Sequence, residues 1–151
     1  MATLNKFRKN LYSQDGEDGV LEEIFRRLSI HPGVFVEFGA WDGKHLSNTY
    51  ALLEKNWKGV YIEADQTRFK ELVRNTESQK ENLELINAYV KPQGVHSLDN
   101  ILFETNINKQ FDLLSIDIDS FDWQIWQSLK NVTPIQFLQQ RGFGQFSIYA
   151  L

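Results

Sequence analysis

The sequence predicts an α/β domain built on a mostly parallel sheet, because short apolar runs alternate with segments of helical periodicity. Two of these runs, at 34–38 and 59–63, carry an acid at their end, Glu37 just before the last residue and Glu63 as the last residue, and glycines follow the first run. A later run at 111–119 ends in Asp117 and Asp119. Right-handed crossovers place the carboxyl ends of parallel strands along one rim, where such sheets bind ligands. We therefore expect the acids at these three strand ends to gather at one site.

The composition indicates a single globular domain over residues 1–151, with residues 1–13 as an irregular N-terminal arm. Hydrophobic residues make up 42% of the chain, which is enough for a sizeable core. The net charge of −4 argues against nucleic acid as the main partner, because phosphate contacts need clustered lysines and arginines. The chain has no cysteine, no secretory signal pattern and no apolar run of membrane length. These features predict a cytoplasmic protein without a membrane partner.

The first predicted helix, at 20–28, follows a polar turn over 13–19. Its apolar residues at positions 20, 21, 24, 25 and 28 have helical spacing, and Asp18 is expected to cap its N-terminus. The sequence His31-Pro32-Gly33 is expected to end this helix.

A β-α-β unit is predicted next, with strands at 34–38 and 59–63. The helix between them, at 47–55, begins at Ser47, Asn48 or Thr49 and is expected to bury Tyr50, Leu52 and Leu53. A helix at 66–76 follows, with Phe69, Leu72 and Val73 inward. The third strand, at 83–90, is placed near an edge of the sheet because polar residues interrupt it.

The C-terminal part is predicted to hold a short helix or turn at 97–103, a fourth strand at 111–119 and a helix at 121–130. Trp123 and Trp126 of that last helix are expected in the core. A fifth strand is predicted at 145–151, so at most one strand follows Leu129. The sheet edge left open by so short a C-terminus favours a homodimer through that edge.

The turn after strand 34–38 is the first candidate ligand site. Gly39 permits a sharp turn, and the N–H groups of 39–43 are expected to meet a ligand carboxylate while Glu37 holds an ammonium group. A dinucleotide fingerprint has glycine at position 41, but Trp41 stands there, which disfavours close passage of a pyrophosphate. The ring of Trp41 is expected either to stack on a ligand or to pack internally, and an ordinary strand-to-helix turn stays open as the alternative.

The acid at the end of the second strand is the second candidate. Glu63 is expected to accept both hydrogen bonds of a ribose diol, which is typical of an acid at this position in a β-α-β unit that binds adenosine. Asp65 is expected instead to cap the helix that follows.

The third candidate is the acidic group Asp117, Asp119 and Asp122. Alternate residues of a strand share a face, so the first two carboxylates can bind a divalent cation, act as a base or position an acceptor. The alternatives are a capping role for Asp122 and a solvated Asp119. The histidines His31, His45 and His96 lack metal-ligand spacing, and His45 either faces an acceptor or lies on the surface.

On these residues the chain resembles class I S-adenosylmethionine-dependent methyltransferases and, within them, the FkbM-type family. The matching segments span roughly residues 12–126 and are Ser13–Asp18, Val36–Gly43, Ser47–Thr49, Tyr61–Asp65 and Phe111–Asp119. The resemblance implies a Rossmann-like, mostly parallel sheet and the cofactor S-adenosyl-L-methionine. It also implies a sheet truncated at its C-terminal side, because the family's sheet continues for several more strands.

The resemblance further implies roles for individual residues. The positions that match cofactor contacts are Glu37, Gly39, Ala40, Gly43, Glu63, Asn87, Ala88 and Asp117. Glu63 matches the acid that binds the ribose hydroxyls, and Asn87 or Ala88 falls where the adenine is bound. Asp117 matches the acid near the methyl-transfer centre, with Asp119 as a second catalytic candidate, and no metal is implied. The family methylates hydroxyl groups of sugars or other small metabolites, so a small-molecule acceptor is expected.

Two other functions remain open from the residues themselves. A metal-dependent nucleotide-sugar transferase would use Asp117 and Asp119 as cation ligands. A non-catalytic binding or assembly module would keep the cofactor half of the fold without an acceptor site.

Overall fold

A computed structural model describes residues 4–107, 109–117, 122–140 and 146–150. The helices in these ranges are α1 Glu17–Leu28, α2 Tyr50–Leu53, α3 Gln66–Asn75, α4 Leu98–Phe103 and α5 Asp122–Ser128, with short 3-10 helices at Leu4–Phe7 and Glu77–Gln79. The strands are β1 Val34–Phe38, β2 Lys58–Glu63, β3 Leu83–Asn87, β4 Gln110–Ile116, β5 Thr133–Gln140 and β6 Phe146–Ala150. None of the helices in the described ranges has the length and hydrophobicity of a membrane span.

The strands form one sheet in the order β3-β2-β1-β4-β5-β6. Every neighbouring pair is parallel except β5 and β6, which are antiparallel. The predicted mostly parallel α/β sheet is thereby confirmed. The strand order reverses between β1 and β4, and this reversal opens a crevice at their carboxyl ends, which is where sheets of this kind bind ligands.

Side chains alternate along β1 and so serve both layers of the core. Phe35 packs in a buried cluster with residues of α1, α2 and α3, whereas Val36 and Phe38 pack with residues of α4 and α5. Glu37 therefore lies on the face of α1, α2 and α3, a placement that decides its contacts below.

Most predicted elements are confirmed with differences at their ends, but β5 was not predicted. Strand 34–38 has the predicted bounds, and Asp65 caps α3 by accepting hydrogen bonds from two N–H groups of its first turn at 2.8 Å each. The predicted helix 47–55 is reduced to α2, because Ser47 and Thr49 bond to Glu37 instead of continuing a helix.

One aliphatic and one aromatic side chain that were predicted to be buried are instead exposed to solvent. Val73 is 38% exposed and Trp123 is 48% exposed. In each case a neighbouring position of the same helix, Leu72 in α3 and Ile125 in α5, occupies the face that packs on the sheet.

The prediction of at most one strand after Leu129 is wrong, because β5 and β6 both follow it. The segment of β5 contains Pro134, which disfavours a strand when the sequence is considered alone. Pairing with β4 overrides this local preference. Among the described residues, the pairing of β5 with β6 runs from Gln140 to Gln136, so Pro134 lies outside that register. β4 is consequently an interior strand, and the sheet edges are β3 and β6.

The N-terminal arm packs on α1 and extends to the edge strand β6. Oδ2 of Asp18 accepts hydrogen bonds from the N–H groups of Leu11, Tyr12 and Ser13 at 2.7, 2.8 and 2.9 Å. The prediction that Asp18 caps α1 is wrong: the N-cap is Gly16, and the Asp18 carboxylate turns to the arm. The arm extends to β6, where the Arg8 guanidinium lies 5.3 Å from the ring centroid of Phe146.

Candidate functional site

A cavity of about 390 Å³ opens at the carboxyl ends of β1, β2, β3 and β4. We call it the rim pocket, and it is lined by Phe38, Gly39, Trp41, Ile62, Glu63, Ala64, Arg68, Ala88, Tyr89, Val90 and Asp117. Neighbouring strands lie about 4.8 Å apart, so a pocket that crosses four strand ends extends roughly 14 Å along the rim. Three predicted strand-end residues, Gly39, Glu63 and Asp117, meet in this one cavity.

The turn after β1 is closed by hydrogen bonds within the protein. Gly39 has a φ of 74°, which permits the sharp turn. The N–H groups of Gly39 and Ala40 both donate to the carbonyl of Ile62, at 3.0 and 3.3 Å, and that of Gly43 donates to the carbonyl of Ala40 at 2.8 Å. These N–H groups were expected to face a ligand. Instead, those of Gly39 and Ala40 bond the end of β1 to β2, and that of Gly43 closes the turn.

Trp41 stands at the mouth of the rim pocket in an unusual backbone conformation. Its φ is 52°, in the left-handed region that costs a residue with a side chain of order 1 kcal/mol. The ring is 41% exposed, and the guanidinium of Arg68 lies 4.9 Å from it, with the ring of His45 at 6.1 Å. The ring lines the pocket and also contacts Arg68 and His45, so both predicted roles, stacking on a ligand and packing within the protein, stay predictions.

Glu63 is held in a fixed orientation inside the rim pocket. Its Oε2 accepts a hydrogen bond from the N–H of Trp41, and its Oε1 accepts one from the N–H of Asp65, both at 2.7 Å. A carboxylate has about four acceptor positions, so each oxygen keeps capacity for one more donor. Such a carboxylate can receive a pair of adjacent hydroxyl groups without first being reoriented.

Glu37 is shut off from solvent and does not line the rim pocket. Its Oε2 accepts hydrogen bonds from the hydroxyls of Ser47 and Thr49 at 3.0 and 2.5 Å, and its Oε1 accepts one from the N–H of Asn48 at 3.1 Å. Burial raises the pKa of Glu37 to about 7, although the hydrogen bonds from Thr49, Asn48 and Ser47 oppose part of that rise. This carboxyl thus binds a turn of its own chain.

The other predicted cofactor residues are divided between the pocket wall and its support. Ala88 lines the pocket, while Ala40 is buried outside its lining. Gly43 is buried with a φ of 77°, and a Cβ there would lie 2.2 Å from Cδ1 of Leu72, so this glycine is required by packing on α3. The side chain of Asn87 donates to the carbonyl of Glu63 at 2.8 Å and so ties β3 to the end of β2.

Asp117 lines the rim pocket at the end of β4, and its N–H donates to the carbonyl of Phe38 at 3.3 Å. Asp119 lies outside the described residues. Asp122 is buried at the start of α5. Within the described part of the chain no three His, Cys, Asp or Glu side chains form a group that could hold a metal ion. His31, His45 and His96 are all exposed.

Sequence reasoning missed several residues of the pocket wall. Phe38 and Ile62 precede the ligand turns and point to the same face of the sheet, as period-two alternation would have indicated. Tyr89 and Val90 lie beyond the end of β3, which was predicted to extend to 90. Arg68 lies in the first turn of α3, three residues after its cap, where the chain returns to the rim.

The fold is shared with known methyltransferases, although no family model and no curated protein matches the sequence. One similar structure is an RNA methyltransferase from Salinibacter ruber in complex with S-adenosyl-L-homocysteine (TM-score 0.53, 17% identity, 80% of this chain and 72% of that one). Another is a Klebsiella pneumoniae protein provisionally named an O-methyltransferase (0.60, 14%, 87% and 58%). A third is a Pyrococcus horikoshii protein provisionally named an RNA methyltransferase (0.54, 12%, 82% and 56%).

These similarities establish the Rossmann-like methyltransferase fold of the chain. The chain spans 56% and 58% of two of these neighbours and 72% of the third. At identities of 12–17%, the similarity shows the fold alone, and the acceptors of the neighbours do not transfer to this chain.

Proposed function

We propose that this chain is an S-adenosylmethionine-dependent methyltransferase of the FkbM type, which methylates a hydroxyl group of a sugar or another small metabolite. The observation that carries the proposal is Glu63, oriented by two backbone N–H groups at the centre of a pocket that crosses four strand ends. The fold of the neighbours and the complex of one of them with S-adenosyl-L-homocysteine support the choice of cofactor.

The residues of the rim pocket suit the parts of this cofactor in sequence along the sheet. Ala88, Tyr89 and Val90 at the β3 end offer an apolar and aromatic surface for the adenine. Glu63 offers acceptor oxygens to the ribose hydroxyls, and Gly39 leaves room for the methionine portion beside β1. When bound, the cofactor supplies an electrophilic methyl group on a sulfonium.

Asp117 is the residue placed to act on the acceptor. It lies at the β4 end of the pocket, across β1 from Glu63, where its carboxylate can accept a hydrogen bond from a hydroxyl group and orient or deprotonate it. Asp119 is a second candidate for this role. Acidic residues at the site and a net charge of −4 favour a small acceptor over a polyanion, and the absence of cysteine is compatible with the cytoplasmic location that we include in the proposal.

Titration calorimetry with S-adenosyl-L-homocysteine tests the proposal. We expect the wild-type protein to bind it and Glu63→Ala to bind roughly tenfold or more weakly, because two hydrogen bonds to a charged group are lost. Glu77→Ala is the matched control, since Glu77 is exposed, lies away from the rim pocket lining and forms a surface ion pair with Lys80. Folded wild-type protein that binds no cofactor, or equal binding by Glu63→Ala, would exclude the assignment. Binding without turnover on any hydroxyl acceptor would favour the non-catalytic module.

A further inference from the structure

A cluster of buried polar side chains joins three strands to the turn that precedes α2. We call it the Glu37 cluster, and its members are Glu37, Ser47, Asn48, Thr49, Tyr61 and Ser115. Each member is at most 5% exposed. Water cannot replace a lost partner at this depth, so each hydrogen bond in the cluster is costly to break.

Glu37 is the centre of the cluster because three of its hydrogen bonds hold the turn 47–49. The hydroxyls of Ser47 and Thr49 also lie 3.3 and 3.1 Å from the hydroxyl of Tyr61 on β2. Among the described residues, the titratable groups that act on Glu37 include Tyr61 on the neighbouring strand and Asp117 beyond the end of β4.

The turn depends on this support because α2 is only four residues long. A single helical turn is unstable on its own, since few hydrogen bonds offset the conformational entropy that it loses. Thr49 makes no side-chain cap to α2, because its hydroxyl is directed to Glu37. Its carbonyl accepts hydrogen bonds from the N–H groups of Leu52 and Leu53 at 2.9 and 3.0 Å. The Glu37 carboxyl therefore supports the start of α2 through the turn 47–49, in addition to the burial of Tyr50, Leu52 and Leu53 in the core.

The cluster also connects the turn to the strand that carries Asp117. The side chain of Asn48 donates to the hydroxyl of Ser115 on β4 at 3.2 Å, and Ser115 pairs with Glu37 across the sheet. Asp117 follows Ser115 by two residues and bonds back to Phe38 of β1. One connected set of hydrogen bonds therefore spans the point where the strand order reverses.

We propose that Glu37 is a positioning residue, which holds the turn 47–49 against β4 and so sets the geometry between the β1 turn and Asp117 without contacting the cofactor. This rests on the proposed function, because it assumes that the rim pocket binds S-adenosylmethionine. It differs from the role that the family resemblance implies, in which Glu37 is a cofactor contact.

The test compares two adenosine ligands, one with and one without the amino-acid portion that Glu37 would bind if it contacted the cofactor directly. S-adenosyl-L-homocysteine carries the amino-acid portion, whereas 5′-methylthioadenosine lacks it. A positioning residue acts on the shape of the pocket, so Glu37→Gln should weaken both ligands by a similar factor. Amide hydrogen exchange of 47–53 is measured on the same variant without ligand, and we expect it to be roughly tenfold faster than in the wild type. Glu81→Gln, at an exposed position, is the control.

Each outcome decides for or against the positioning role. Similar weakening of both ligands together with faster exchange supports it. A loss at least tenfold larger for S-adenosyl-L-homocysteine than for 5′-methylthioadenosine shows a direct contact and overturns it, as does unchanged exchange. If the wild type binds neither ligand, the proposed function fails and the exchange experiment alone decides. Should Glu37→Gln not fold, Thr49→Val removes one bond of the cluster with little change of shape and is expected to give the same pattern.

Discussion

The hydroxyl of Thr49 lies 2.5 Å from Oε2 of Glu37, although the two residues are 12 positions apart and both are shut off from solvent. Burial raises the pKa of Glu37 from its ordinary value of 4.5 to about 7. The folded protein therefore holds a proton on this carboxyl over a range of pH in which the unfolded chain has released it.

The pH dependence of stability follows from this difference. The stabilisation by the Glu37 proton is complete below pH 4.5 and is lost as the pH rises through about 7. We expect the free energy of unfolding to fall by about 3 kcal/mol between pH 4.5 and pH 8 on account of this group. Urea denaturation of wild type and Glu37→Gln at several pH values measures it. The variant should show a flatter profile, and equal slopes for the two proteins would contradict the prediction.

Trp41 provides a prediction about backbone strain. At a φ of 52°, glycine is favoured over alanine, so Trp41→Gly should be more stable than Trp41→Ala by about 1 kcal/mol. Both variants lose the ring at the mouth of the rim pocket and should weaken S-adenosyl-L-homocysteine binding to a similar extent. Trp123, exposed in α5, is the matched control: there the order should reverse, because alanine is favoured over glycine in a helix. The same order at both positions would refute the account.

Gly43 provides a prediction about packing between the β1 turn and α3. Gly43→Ala is expected to cost about 2–4 kcal/mol, since φ is 77° and the new Cβ would meet Cδ1 of Leu72 at 2.2 Å. Leu72→Ala alone should cost about 2–5 kcal/mol through the cavity that it creates. The double variant should be less damaged than the sum of the two, by about 1–2 kcal/mol. Chemical denaturation of the four proteins gives this coupling, and strict additivity would mean that the two residues do not oppose each other.

Asp18 provides a prediction about the N-terminal arm. Asp18→Ala removes the acceptor of three N–H groups and of the Ser13 hydroxyl, which lies 2.8 Å from the same oxygen. We expect the arm to detach and trypsin to cleave it rapidly after Lys6, Arg8 or Lys9. Glu22→Ala is the control on the same helix, since a pair of exposed side chains such as Glu22 and Lys55 contributes little to stability. Cleavage of the arm at the wild-type rate in Asp18→Ala would show that this carboxylate does not hold it.

Local sequence signals predicted those parts of the fold in which local preference and tertiary structure agree. The run 34–38 is apolar because it is covered on both faces, and its bounds match β1. Asp65 caps α3 through its own first turn, a contact that needs no distant partner. By contrast, β5 contains Pro134, which disfavours a strand locally, and it becomes a strand through pairing with β4.

The candidate site shows the same division. Gly39, Glu63 and Asp117 were predicted at one rim, because strand ends in a parallel sheet must meet there. The environment of Glu37 depends on a turn ten to twelve residues away, so its burial was beyond the reach of the motif alone. Arg68 and Tyr89 line the pocket because α3 and the loop after β3 pass beside it. Neither arginine nor tyrosine indicates such a position by its residue type alone.

The pairing of β1 with β4 has a consequence for the order in which the molecule is assembled. The N–H of Val34 donates to Oδ2 of Asp112, which lies 78 positions later in the chain. At a synthesis rate of 5–20 residues per second, the ribosome needs roughly 4–16 s to make the intervening segment. During that interval β1, β2 and β3 can pair with one another, because they are close in sequence. The part of the pocket wall at Asp117 can form only after β4 has been synthesised. The nascent chain can therefore form the side of the pocket that is proposed to bind adenosine before the side that is proposed for catalysis.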